Sequence, residues 1–110
     1  MTLQLELLND VLILRLAGRL DSSSSPELER VLNEKLAAGN QRLVFDFSEL
    51  VYISSAGLRV ILLAGKKLRT SKGKLVLVGL SDMVREVFTM SGFLILFAVA
   101  DTVDRAVAML

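Results

Sequence analysis

The segment Asp46-Phe47-Ser48-Glu49-Leu50-Val51-Tyr52-Ile53-Ser54-Ser55-Ala56-Gly57-Leu58 joins two kinds of structure. It starts on the last residues of a short apolar run, Arg42 to Phe47, dense enough for a strand buried on both faces. It ends in a serine pair, after which Leu58, Ile61, Leu62 and Leu68 recur at helical spacing. The pattern predicts a strand over 42–47, a connection over 48–54 and a helix from about Ser55 to Arg69. A buried strand feeding a helix is the building unit of α/β domains.

Downstream the unit repeats. Lys74 to Val78 reads as a strand. Ser81 caps a helix from Asp82 to about Met90, and Gly92 stops it. Leu94 to Val99 reads as a last strand, and Asp101 as the cap of a final helix carrying Val103, Val107 and Met109. Within 82–90, Met83, Val84, Val87, Phe88 and Met90 read as a core stripe. Upstream, Leu3 to Leu7 alternates apolar and polar residues, Asn9-Asp10 suits a turn, and Val11 to Leu16 is a second strand, which gives a hairpin. Ser25 and Pro26 then open an amphipathic helix with Leu28, Val31, Leu32 and Leu36, closed by Gly39. The order is β-β-α-β-α-β-α-β-α. The expectation is a single α/β domain over 1–110, a mixed sheet packed with helices and joined by right-handed crossovers.

Composition narrows the function. The chain has 110 residues, of which 53% are hydrophobic and 23% charged, with a formal net charge of +1. That is one ordinary domain with a dense core. The charge balance favours neither nucleic acid nor an anionic membrane. The absence of Cys excludes disulfides, thiolate metal sites and a cysteine nucleophile. The absence of His removes the commonest metal ligand and neutral-pH base. The apolar run Phe93 to Ala100 falls far short of the roughly 20 residues a membrane helix needs. No cofactor, metal or membrane span is expected, and the reading is a cytoplasmic protein that is not an enzyme.

The candidate sites each have a plainer alternative. Asp21 and Asp46 sit near strand ends, where they could share one rim and bind a metal or act as acid and base; otherwise they cap turns. Ser54 or Ser55 is an N-cap or a phosphorylation site, since a helix N-terminus accommodates an anion. Ala56, Val60, Leu63 and Lys67 fall opposite the expected core side of their helix, forming an apolar stripe. It is either a docking face or a face covered by another element. Gly57 serves either the close approach of a partner or tight packing on the sheet.

On Leu16-Ala17-Gly18-Arg19-Leu20-Asp21, Asp46 to Leu58 and Met90-Ser91-Gly92-Phe93, the chain resembles the STAS domain family, named for sulfate transporters and anti-sigma factor antagonists. Ser55-Ala56-Gly57-Leu58 is the most specific match, and the similarity is to the bacterial antagonists in particular. The resemblance implies partner switching. An unmodified antagonist binds an anti-sigma factor that is also a serine kinase, phosphorylation releases it, and a serine phosphatase restores it. Ser55 matches the phosphorylated serine, with Ser54 as a second hydroxyl where many members carry Asp. Asp21 matches the acidic residue of the adjacent loop. The docking surface is then expected from Asp21, Ser54, Ala56, Gly57, Val60, Leu63 and Lys67. The alternative is a non-phosphorylated STAS scaffold subunit of a signalling or lipid-transport assembly.

Overall fold

The computed structural model describes residues 1–110. Two antiparallel strands, β1 (Thr2–Leu8) and β2 (Val11–Leu20), are joined by Asn9 and Asp10. Both turn residues have positive φ, 49° and 67°. That is the geometry of a two-residue type I′ hairpin, which Asn and Asp tolerate better than most residues. The chain continues through α1 (Ser25–Ala37), β3 (Arg42–Ile53), α2 (Ser55–Thr70), β4 (Lys74–Val78) and α3 (Asp82–Met90). It ends with a single 3₁₀ turn (Leu94–Leu96), β5 (Ala98–Ala100) and α4 (Val103–Ala108).

The sheet has five strands in the order β1-β2-β3-β4-β5, and β2 to β5 are mutually parallel. On one face α1, α2 and α3 pack Leu28, Leu32, Ile61, Leu68, Val84 and Phe88 against Leu12, Leu14, Leu16, Phe45 and Phe47. Phe45, Phe47, Phe88 and Phe97 form a continuous aromatic row with centroids 5.7, 6.3 and 5.8 Å apart. The other face is covered by α4 alone, whose Ala106 sits on Val11, Ile13, Val44, Val76 and Val78. The strands therefore alternate between two cores, and both must be apolar, as the sequence of β3 and β4 requires.

The α/β class, the hairpin, β4, α2 and α3 lie where the sequence places them. Three expectations are corrected. The segment 48–53 is not a connection: β3 runs on to Ile53, because β2 also runs on to Leu20 and pairs with Glu49, Leu50, Tyr52 and Ile53 across two register shifts. Beyond Ala17 of β2 and Asp46 of β3 the sheet is only these two strands wide. The segment 94–99 is not a strand either. Its first part is the 3₁₀ turn, and only Ala98 to Ala100 pairs with β4. Finally, Met83 and Met90 are exposed (58% and 79%), leaving Val84 and Phe88 as the buried pair of α3.

Candidate functional site

The two-stranded end of the sheet delivers Leu20 and Ile53 side by side, and the chain leaves each into a helix. At this point the Ser54 N–H donates to the Leu20 carbonyl at 2.9 Å. Ser54 is the N-cap of α2. Its backbone is extended and its hydroxyl accepts from the Gly57 N–H at 3.2 Å. Ser55 is the first residue of the helix and is exposed. The two serines thus have different surroundings: one half-buried with its oxygen engaged as a cap, the other open to solvent.

Gly57 is buried one turn in, directly over Leu20. A Cβ there would lie 2.6 Å from Leu20 Cγ and 3.1 Å from its carbonyl oxygen. Of the two roles open to Gly57 in the sequence, the geometry gives tight packing on the sheet, and the residue is not a surface contact.

Across from Ser54 the β2–α1 loop is built on Asp21. Its Oδ1 accepts from the Ser23 hydroxyl at 2.7 Å and the Ser23 N–H at 3.1 Å, and more distantly from Ser24. The Asp21 carbonyl accepts from the N–H and hydroxyl of buried Ser25. Helix α1 consequently starts one residue earlier than the sequence suggests, with Ser24 as N-cap and Pro26 in the second position. The Ser23 hydroxyl and N–H, reinforced by Ser24, hold the Asp21 carboxyl below its ordinary value against a small opposing effect of burial. Its second oxygen faces Arg19 Nε at 3.9 Å, and the Arg19 guanidinium lies 4.1 Å over the Tyr52 ring. Sequence inspection did not single out Arg19 and Tyr52; their pairing follows from a parallel register that depends on the full length of β3.

Asp46 is elsewhere. It pairs in register with Arg15, whose Nε lies 3.5 Å from its Oδ2, and Ser48 donates to its other oxygen. Arg15 is also paired with Glu6 of β1. Asp21 lies just past the end of β2, six residues beyond Arg15, an extended span of up to about 20 Å at about 3.3 Å per residue. The shared Asp21/Asp46 rim is therefore overturned, and with it an acid–base or metal pair. No group of three or more acidic side chains is placed to hold a metal ion.

The stripe on α2 is corrected as well. Val60 is 7% exposed and belongs to the main core, and Leu63 is half-buried in the seam with Leu32 and Leu36 of α1. Lys67 is exposed but donates across the same seam to Asn33 Oδ1 at 2.7 Å. Ala56 is half-buried. Helix α2 is packed on two sides, sheet and α1, so its apolar residues extend well beyond one face. Its exposed residues on the remaining side are instead Ser55, Arg59, Lys66 and Arg69, with half-buried Leu62 between Arg59 and Lys66. No acidic residue stands in its first turn. A cleft of about 260 Å³ lies at the far end of α2, between Leu62, Leu68, Leu75 and Phe97, away from the serines. No helix is long and apolar enough to cross a membrane.

Comparison with known proteins agrees with this architecture. The model of the STAS domain matches residues 2–106. A Bordetella bronchiseptica protein, BtrV, described as a candidate anti-sigma factor antagonist, is 44% identical over 98% of this chain and 93% of its own. The fold superposes with a TM-score of 0.93 on a Thermotoga maritima protein of similar description, at 23% identity over 97% of this chain and 92% of that one. It superposes at 0.80 on the Bacillus cell-fate determinant SpoIIAA in its phosphorylated form, at 24% identity over 98% of both chains.

Proposed function

The chain belongs to the STAS domain family, and from that premise we propose that it is an anti-sigma factor antagonist whose grip on its partner is switched by phosphorylation of Ser55. It is a binding protein, and its partner is an anti-sigma factor with serine kinase activity; a serine phosphatase resets it. One observation carries the choice of residue. Ser55 is exposed at the first position of α2, while the hydroxyl of Ser54 is committed to the Gly57 N–H.

The physics of the switch follows from the helix end. Unmodified, α2 presents unpaired N–H groups and a positive dipole end, with Arg59 one turn along and no acidic residue in between. That surface suits an acidic or polar group of a partner. A phosphoryl group brings about −1.5 to −2 charges to the same place. It occupies the helix end itself, satisfies Arg59, and meets an acidic partner group with repulsion. A loss of 2–3 kcal/mol corresponds to about 30- to 150-fold weaker binding. In this scheme Asp21 shapes the loop opposite the helix end. The docking surface is the line from Ser55 through Arg59 and Leu62 to Lys66 rather than Val60 and Leu63.

The test is phosphopeptide mapping after incubation with ATP and lysate of the source cells, together with binding of the purified kinase to Ser55→Asp and Ser55→Ala. A single phosphoryl group on Ser55 and weakened binding by Ser55→Asp, with unchanged circular dichroism, are expected. A group on Ser54 moves the site. No incorporation, with partner binding indifferent to Ser55→Asp, replaces the switch by a constitutive scaffold subunit.

A further inference from the structure

The outer edge of β1 is unpaired: β1 bonds only to β2, at the end of the sheet. The two-residue turn makes Leu8 and Val11 a hydrogen-bonded pair, and antiparallel alternation then makes Glu6, Gln4 and Thr2 inward-bonding. The N–H and C=O groups of Leu3, Leu5 and Leu7 therefore point away from the sheet. The side chains of the same residues share the face of the main core, crossing from Leu16, Leu14 and Leu12. Leu5 and Leu7 remain 42% and 65% exposed, beyond the cover of the helices.

Long, flat, apolar edges are normally blunted by Lys, Pro, a bulge or a covering loop. This one has none of these. Its one charge, Glu6, is inward-bonding and already held by Arg15. The other edge, β5, is a three-residue strand.

We propose that β1 pairs antiparallel with β1 of a second copy, about a two-fold axis through Leu5, making one continuous sheet. The occupant is specified by self-complementarity. Centred on Leu5, the register sets Leu5 opposite Leu5, Leu3 opposite Leu7, and Gln4 opposite Glu6, so every outward backbone group is paired and no like charges meet. Leucines from both copies extend the main core across the junction, and both sets of helices α1 to α3 lie on one side. A two-fold contact closes on itself and does not propagate into fibres. Because the paired strands run in opposite directions, the Ser55 sites point to opposite ends of the dimer and both stay open. The contact is a strand edge, smaller than the roughly 1,600 Å² of a standard stable interface, so the dimer is weak and concentration-dependent.

Sedimentation of the whole chain from micromolar to near-millimolar concentration tests this directly. A monomer–dimer equilibrium is expected. Leu5→Lys sets two ammonium groups against each other on the axis and raises the dissociation constant by at least about tenfold. Since Leu5 is exposed, circular dichroism of that variant stays native. The chain has no Cys, so Leu5→Cys gives a clean second readout. Residues opposed in a bonded antiparallel pair have Cα atoms about 5.5 Å apart, within disulfide range. Mild oxidation should link Leu5→Cys far faster than the control Val51→Cys, although Val51 is the more exposed of the two positions (61% against 42%). A wild-type chain that stays monomeric throughout, with equal linking of the two cysteine variants, overturns the proposal. So does a dimer that survives Leu5→Lys, or an edge that proves to be needed for a different protein and not for self-association.

Discussion

Ser54 and Ser55 differ by one position and by most of their physical environment. Replacing Ser54 by Ala removes a cap whose loss typically costs about 1 kcal/mol, a fall of roughly 4 °C in thermal midpoint for a chain of this size. Ser55→Ala should leave the midpoint nearly unchanged; differential scanning calorimetry of the pair checks this. Gly57→Ala has two opposing effects. Helix propensity gains about 1 kcal/mol, but overpacking against fully buried Leu20 costs about 1–3 kcal/mol. The net expectation is destabilisation, read as a lower urea midpoint. Asp21 gives a pH signature. Its folded carboxyl titrates below the ordinary value of 3.8, so its contribution is fully present above that value and lost as pH falls through the lower folded one. Asp21→Asn should therefore flatten the acid limb of stability against pH and leave the neutral region shifted by a constant amount. The sequence could not separate the two serines, because which one caps the helix depends on where β3 stops. The apolar run that ends at Phe47 conceals six further residues of strand, held by pairing with β2 and not by their own composition.

Helix α2 illustrates the difficulty at the scale of an element. Periodicity identifies its span almost to the residue, but an apolar stripe cannot say how many neighbours a helix has. With one neighbour, Val60 and Leu63 would be exposed. With two, they are the seam. Val60→Glu therefore puts an unpaired carboxylate into the core and should destabilise by about 3 kcal/mol or more. Arg59→Glu should leave stability within about 0.5 kcal/mol and weaken partner binding, measured by calorimetric titration. Normal binding by that variant would remove Arg59 from the docking line. In the same way the α3 stripe contained its two true core residues, Val84 and Phe88, and two exposed methionines that periodicity alone had no means to exclude. The 3₁₀ turn escapes periodicity for a different reason: a short apolar run reads as a buried strand, whereas no residue of Leu94–Leu96 is buried and Ile95 is 90% exposed.

For the whole molecule, strand and helix order was enough. Alternating elements after a hairpin leave few topologies once crossovers are right-handed and connections short. What the order could not supply was the unequal length of the strands. The expectation that Asp21 and Asp46 share a rim assumed strands ending together. In fact β2 and β3 outrun β4, and the two carboxylates sit at different heights along the sheet.

That inequality has a mechanical consequence. The pair of strands projecting past β4 is a short cantilever, clamped at its root in the five-stranded body and carrying Ser55 at its tip. Gly79, at a φ of 71°, lies against Ser48 at the root, where a Cβ would collide with the Ser48 side chain and backbone. A load applied at the tip of such a beam has few paths inward, because only β2, β3 and the helices above them connect it to the body. A charge introduced at Ser55 is therefore expected to be felt locally, with the body at rest. Amide hydrogen exchange in β4, α3 and α4 should accordingly be the same in Ser55→Asp as in the unaltered chain, with changes confined to the first turns of α1 and α2.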